Sequence, residues 1–138
     1  GKNVEERFAP KYFSQFTLGI DFTARDIQKK LKDKGLPWEK AKAFDQSAVL
    51  GEFLDVKDYS LDNLKFELKK NGQVVQSGNT KSMIFSIPQI IEHCSEFFTL
   101  KIGDLIYTGT PEGVGPVVKG DVIKVGVDGL TELETKIV

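Results

Sequence analysis

Hydrophobic and polar residues alternate strictly over residues 14–22. Phe16, Leu18, Ile20 and Phe22 fall on one face of an extended chain, and Gln15, Thr17, Gly19 and Asp21 on the other. The period then changes. Thr23 is placed to cap a helix with Asp26 at its third position, Ile27 and Leu31 are spaced for a buried side, and Gly35 marks the end. Leu36-Pro37-Trp38 begins a loop. Residues 46–60 are irregular, with one short strand expected around Val49–Leu54. Leu64, Phe66 and Leu68 alternate, Asn71-Gly72 signals a hairpin turn, and Gln73–Gln76 returns. Ser86, Pro88 and Gln89 have the spacing of a capped helix start, and Ile87, Ile90, Ile91, Cys94, Phe97 and Phe98 follow at helical intervals. Leu105–Thr108 reads as a strand leading into a glycine-rich loop at 109–116. Ile123, Val125 and Val127 face one way, Asp128-Gly129 turns the chain, and Leu133 and Ile137 alternate with Glu132, Glu134 and Lys136. The result is a mostly β chain with two helices, an α+β class. No βαβ alternation points to a doubly wound sheet.

Composition narrows the functions available. A chain of 138 residues fits one domain, 40% hydrophobic and 28% charged, which is the balance of a folded protein. Basic residues number 19 against 20 acidic, so a nucleic-acid-binding surface is not expected. Cys94 and His93 are single, which excludes an intrachain disulfide and a histidine-rich zinc site. No apolar run approaches about 18 residues, so no membrane span is expected. The polar opening Gly1–Arg7 has no signal-peptide core, and cytoplasmic residence is expected.

Three stretches could do chemistry. At the strand-to-helix junction, Asp21 lies on a polar strand face, and Arg25 and Gln28 share one helix face beside a helix start that attracts anions. The alternative is a polar strand end followed by a solvated helix. Lys42 stands among Ala41, Ala43 and Phe44, where an apolar pocket could aim an ammonium at an enolate or water; the alternative is one more surface lysine. Residues 108–116 contain three glycines that allow close backbone approach, and Thr110 can offer a hydroxyl and an N–H to a carboxylate. That stretch lacks the Gly-Lys-Ser/Thr of a phosphate loop, and the alternative is a tight turn. Ser77–Thr80 is a weaker polar loop of the same kind. His93 and Cys94 are helix neighbours about 100° apart and do not pair as base and nucleophile. Cys94 is expected in the core and His93 on the surface.

Four motifs in register resemble the fumarylacetoacetate hydrolase family. They are Gly19-Ile-Asp21-Phe-Thr-Ala-Arg25-Asp-Ile-Gln28, Gly35-Leu-Pro-Trp38-Glu-Lys-Ala-Lys42-Ala-Phe44, Gly78-Asn-Thr80 with Met83–Pro88, and Thr108-Gly-Thr110-Pro-Glu-Gly-Val-Gly115. The Gly-Leu-Pro-Trp stretch is most similar to the acylpyruvate hydrolase and oxaloacetate decarboxylase branch. The resemblance implies a mixed β-sandwich roll, Mg²⁺ or Mn²⁺, a homodimer, and cleavage of a carbon–carbon bond in 2-oxo or β-dicarbonyl acids. Isomerisation or hydration of 2-hydroxydienoate acids on the same fold is the alternative activity. It further implies that Asp21 is one of three carboxylate metal ligands, that Lys42 is the active-site lysine, and that Arg25, Gln28 and Thr110 contact substrate. The family's other two ligands form a Glu-x-Glu strand, which precedes the region matched here together with a lid bearing a His and a Glu. Glu5-Glu6 are adjacent and do not replace that strand. Residues 1–138 are therefore expected to be one catalytic domain lacking its lid and Glu-x-Glu strand. Such a piece is expected to be nearly inactive, or only to dimerise.

Overall fold

Residues 14–22 do fold as an extended chain with one apolar face, but in two pieces. A computed structural model describes residues 1–138, apart from the side chains of 130–132. Strand β1 (Gln15–Phe16) pairs antiparallel with β4 (Leu54–Asp55), and β2 (Gly19–Asp21) with β3 (Ala48–Leu50). The bonds Gly51 N–H to Leu18 O and Val56 N–H to Ser14 O continue the pairing beyond both ladders. The segment is thus one interrupted hairpin arm, and the single expected strand at 49–54 is two short ones.

The second layer is a four-stranded antiparallel sheet in the order β6-β5-β7-β8, formed by β5 (Lys65–Lys70), β6 (Gln73–Asn79), β7 (Val122–Val127) and β8 (Leu130–Lys136). Asn71 and Gly72 both take positive φ, 50° and 83°, as a two-residue hairpin turn demands. Asp128 and Gly129 repeat the device at 48° and 87°. The expected return strand at 73–76 runs on to Asn79. Ser77, Gly78 and Asn79 therefore belong to β6 rather than to a loop. A Cβ on Gly78 would sit 2.5 Å from Cζ of Phe66 across the ladder, so any larger residue here must displace that ring.

Leu18 and Ile20 of the hairpin meet Ile123, Val125, Val127 and Leu133 of the sheet in one buried cluster. Each aliphatic side chain buried this way contributes about 1.5–3 kcal/mol. A smaller cluster joins Val4 and Ala9 to Ile91 of α3 (Ile87–Phe97). Helix α3 starts as its spacing predicts: Ser86 Oγ accepts from Gln89 N–H, and Gln89 Oε1 accepts from Ser86 N–H. Its far end departs from expectation. Phe97 and Phe98 are mostly exposed, and Cys94 is half-buried rather than in the core.

Two further expectations need correction. Helix α1 (Arg25–Asp33) is capped at Ala24 without a side-chain bond, so Thr23 is not its cap and Asp26 stands at the second helical position. Its side chains are not buried, and Ile27 is exposed, because α1 packs on the four-residue helix α2 (Glu39–Lys42) at the surface. Leu105–Thr108 is extended in neither ladder. The alternation is nonetheless used: Ile106 packs on the smaller cluster, and Tyr107 turns toward β2. No helix among the described residues is long and apolar enough to cross a membrane.

Asp121, just before β7, is buried and fully partnered. Its Oδ1 accepts from Asn71 Nδ2 at 2.7 Å, and its Oδ2 accepts from Val118 N–H at 2.9 Å. These bonds, the Val118 one first, hold its carboxyl below the ordinary value of 3.8. A depressed carboxyl contributes stability above its unfolded pKa and loses it as pH falls through the folded one. Asp121→Asn should therefore unfold at lower urea than the parent at pH 7. The two midpoints should converge as the pH is taken below 3.8.

Candidate functional site

Asp21 is the last residue of β2 and follows the buried Ile20, so the alternation puts its carboxylate outside the core. Phe22 N–H donates to Ser47 O at 2.7 Å and keeps the strand end paired. The chain then makes α1, which closes on Gly35 with φ of 63°. Gly35 N–H bonds Lys32 O and Leu36 N–H bonds Leu31 O, the paired bonds of a Schellman end. Helix α2 returns beneath this turn, with Ala41 fully buried and Ala24 N–H donating to Ala41 O at 3.0 Å. That return brings Lys42, 21 residues on, to Asp21.

Lys42 Nζ donates to Asp21 Oδ2 at 2.5 Å and to Thr23 Oγ1 at 2.8 Å. The Lys42 and Asp21 side chains are 36% and 46% exposed. Lys42 is therefore not in the apolar pocket its neighbours predict, since Ala43 and Phe44 face outward; it sits in a half-open polar cluster. A pair this exposed is worth about 0.2–1 kcal/mol to stability. An ammonium has three donors, and two are taken by the Asp21 and Thr23 oxygens.

Arg25 and Gln28 meet as their spacing predicts, with Arg25 Nη1 donating to Gln28 Oε1 at 3.2 Å on α1. Thr110 stands apart. Its Oγ1 accepts from Gln76 Nε2 at 3.0 Å, on a loop that borders a groove of about 1220 Å³. Asp21, Arg25, Gln28 and Lys42 do not line that groove; Phe66, Asn79, Lys81 and Met83 do. The structure thus joins Asp21 to Lys42 and Arg25 to Gln28, and gives no direct contact between Thr110 and either pair.

Tyr107 escaped the sequence reading. Its ring lies against Gly19, where a Cβ would come within 2.9 Å of Cε1, and its hydroxyl donates to Val49 O at 3.3 Å. Burial, and then the Asp21 carboxylate, push the phenol above its ordinary value of 10.0. The only signal was its alternation with Ile106. Thr23 was also misread, because a threonine before a helix suits a cap as well as a lysine partner.

A hard divalent cation seeks about six oxygen ligands. Asp21 offers one carboxylate, already bonded to Lys42, and the described residues contain no group of three His, Cys, Asp or Glu side chains able to hold a metal. The residues present do not by themselves fit a Mg²⁺ or Mn²⁺ site.

A sequence profile described as Fumarylacetoacetate (FAA) hydrolase C-terminal matches residues 1–138. The chain belongs to the fumarylacetoacetate hydrolase family. Mouse oxaloacetate tautomerase FAHD1, mitochondrial, is 44% identical over 138 residues, which are 99% of this chain and 62% of the mouse protein. Oxaloacetate decarboxylase, mitochondrial, of Dictyostelium discoideum is 42% identical over 142 residues, covering 100% of this chain and 64% of that protein. The crystal structure of fumarylpyruvate hydrolase from Pseudomonas aeruginosa with Mn²⁺ and pyruvate superposes with a TM-score of 0.94 at 34% identity, over 100% of this chain and 60% of that one. The chain therefore spans about three-fifths of the length of these relatives. The β-rich family fold expected from the motifs holds at that similarity.

The position of Tyr107 can be read spectroscopically. Its phenolate absorbance should have its midpoint above pH 10.0, and Tyr107→Phe should remove that component. Asp21→Asn should lower the midpoint only part of the way, because burial is the larger cause.

Proposed function

We propose that this chain supplies the lysine-bearing half of an active site that forms and quenches the enolate of a 2-oxo acid. The outcome assigned to it is cleavage of a carbon–carbon bond, by decarboxylation of oxaloacetate or hydrolysis of an acylpyruvate. The observation that carries the reading is the Lys42 ammonium spanning Asp21 Oδ2 and Thr23 Oγ1. Its third donor is available to an oxygen of the substrate, and two fixed acceptors aim it.

In decarboxylation the bond between C3 and the distal carboxylate breaks. Its electron pair moves into the pyruvate enolate, CO₂ departs, and C3 then takes a proton. In hydrolysis water adds to the acyl carbonyl carbon, the bond from that carbon to C3 breaks, the acyl group leaves as its carboxylic acid, and the same enolate remains to take a proton at C3. Either way negative charge grows on one oxygen, and a preorganised ammonium stabilises that charge more than it stabilises the neutral ketone. Arg25, braced by Gln28, and Thr110 are assigned to the substrate carboxylate, for which a guanidinium and a hydroxyl are suitable donors. A second reading is tautomerisation, in which a proton moves between C3 and the enol oxygen and no carbon–carbon bond breaks. It is supported by the name of the mouse relative. Isomerisation of a hydroxydienoate finds support in a 5-carboxymethyl-2-hydroxymuconate delta-isomerase from Mycobacterium smegmatis, 34% identical with a TM-score of 0.88. All of these pass through an enolate or dienolate.

At the level of the whole enzyme the reading includes Mg²⁺ or Mn²⁺, with Asp21 as one ligand and the others outside the set present here. Residues 1–138 are then one catalytic domain without its lid and Glu-x-Glu strand. A homodimer belongs to the same reading. Exposed Ile84, Phe85, Phe97 and Phe98 are compatible with it. Cytoplasmic residence is not supported by the mouse and Dictyostelium relatives, whose names place them in mitochondria.

Lys42→Met in the complete enzyme should lower oxaloacetate or acylpyruvate turnover about a hundredfold or more, while thermal unfolding shifts by no more than the about 1 kcal/mol of an exposed pair. A near-parental rate would return Lys42 to the surface lysines. Assaying both substrates, with enol–keto exchange followed by absorbance, separates cleavage from tautomerisation.

Metal titration by calorimetry tests Asp21. In the complete enzyme, Asp21→Ala should weaken Mg²⁺ or Mn²⁺ binding and nearly abolish cleavage, with partial recovery at raised metal. Asp26→Ala should leave metal affinity intact and cost roughly 0.3–1 kcal/mol of helix stability through lost dipole pairing. The 138-residue chain alone should bind Mg²⁺ poorly, because one carboxylate does not make a tight site.

A further inference from the structure

The loop bearing Thr110 is held from below by one side chain, Gln76 of β6. Its Nε2 lies 3.0 Å from Thr110 Oγ1, 2.9 Å from Pro111 O and 3.4 Å from Glu112 O. Two of these partners are backbone carbonyls, which only accept. The amide nitrogen, not its oxygen, therefore faces the loop. Thr110 Oγ1 consequently accepts a hydrogen bond from Gln76 and must direct its own O–H elsewhere. A second contact fixes the height of the loop over the strand: Gly113 has φ of 99°, and a Cβ there would collide with Val75 O. The loop is pressed on β6 where Val75 and Gln76 meet it.

From this geometry we propose that Gln76 is a positioning residue that makes Thr110 a committed donor toward the substrate carboxylate. The inference rests on Thr110 being a substrate contact, as assigned above. A threonine hydroxyl left alone rotates and can present a lone pair, which repels a carboxylate. With its oxygen occupied as acceptor by an amide, the remaining proton suits an anion. Gln76→Glu reverses the relation. A carboxylate there accepts the Thr110 proton, adds like charge beside the bound acid, and meets two carbonyl oxygens that it cannot satisfy. Gln76→Met removes the donor without adding charge.

The test is steady-state kinetics on oxaloacetate in the complete enzyme, with oxalate as a competitive probe of carboxylate binding. Gln76→Met should raise KM and the oxalate inhibition constant together by about fivefold, and Gln76→Glu by about tenfold or more, with kcat changed much less. Thr110→Ser, which keeps the hydroxyl, should retain sensitivity to Gln76→Met. Thr110→Val should raise KM by itself, and adding Gln76→Met to it should then change KM less than about twofold. If Gln76→Met raises KM equally with Val at 110, Gln76 acts on the loop as a whole and the inference is wrong. If Thr110→Val alters KM while neither Gln76 variant does, the inference fails and the assignment of Thr110 stands. If Thr110→Val leaves KM unchanged, that assignment fails and takes the inference with it. Melting curves keep these outcomes apart from unfolding, since Gln76→Met, without the charge, is the variant expected to fold.

Discussion

The contact of the Lys42 ammonium with the Asp21 carboxylate, one residue beyond the buried Ile20, is what the chain around the candidate site is arranged to make. A carboxylate at the rim of an apolar cluster needs a partner or water. Here the partner comes from the far side of two helices: the chain leaves β2, turns at Gly35, and returns through α2 so that Lys42 reaches both Asp21 and Thr23. The backbone bonds Ala24 to Ala41 and Phe22 to Ser47 tie the outgoing and returning arms together.

Little of this arrangement serves stability. Rigidity comes from elsewhere, from the hairpin arm packed on the four-stranded sheet and from the second cluster under α3. The polar groups at the site are half-exposed, and helix α1 buries nothing. A well-packed scaffold thus presents a loosely covered set of charges.

Local chemistry made much of the fold readable. Asn71-Gly72, Asp128-Gly129 and the Ser86–Gln89 box each fix a few dihedrals by themselves, and each folds as its residues dictate. The apolar face Phe16, Leu18, Ile20, Phe22 was equally plain. Failures occurred where a tertiary partner decides. Thr23 suits a helix cap by type but bonds Lys42 because α2 returns there. Residues 105–108 alternate like a strand yet pair with none among the described residues, since Ile106 and Tyr107 satisfy two different clusters. Arg25 with Gln28 was visible from helix spacing, whereas the contact of Asp21 with Lys42 was not foreseen, because 21 residues and two helices separate them. Gln76 gave no signal, since its partners, Thr110 Oγ1 and two backbone carbonyls, lie on a loop 34 to 36 residues away.

The seat of the Gly113 turn on Val75 matters for more than the site. Strand β6 is an outer member of its sheet, and an outer strand offers unpaired backbone groups to any passing chain. Residues 110–113 lie across part of that rim, with Gln76 as the fastening and glycine as the only residue that lets the turn sit so close. The contact that seats the turn bearing Thr110 therefore also covers backbone of an outer strand. A substitution that lifts the turn would lay bare a strip of strand edge, and the first sign of it could be turbidity in a concentrated sample rather than a slower assay.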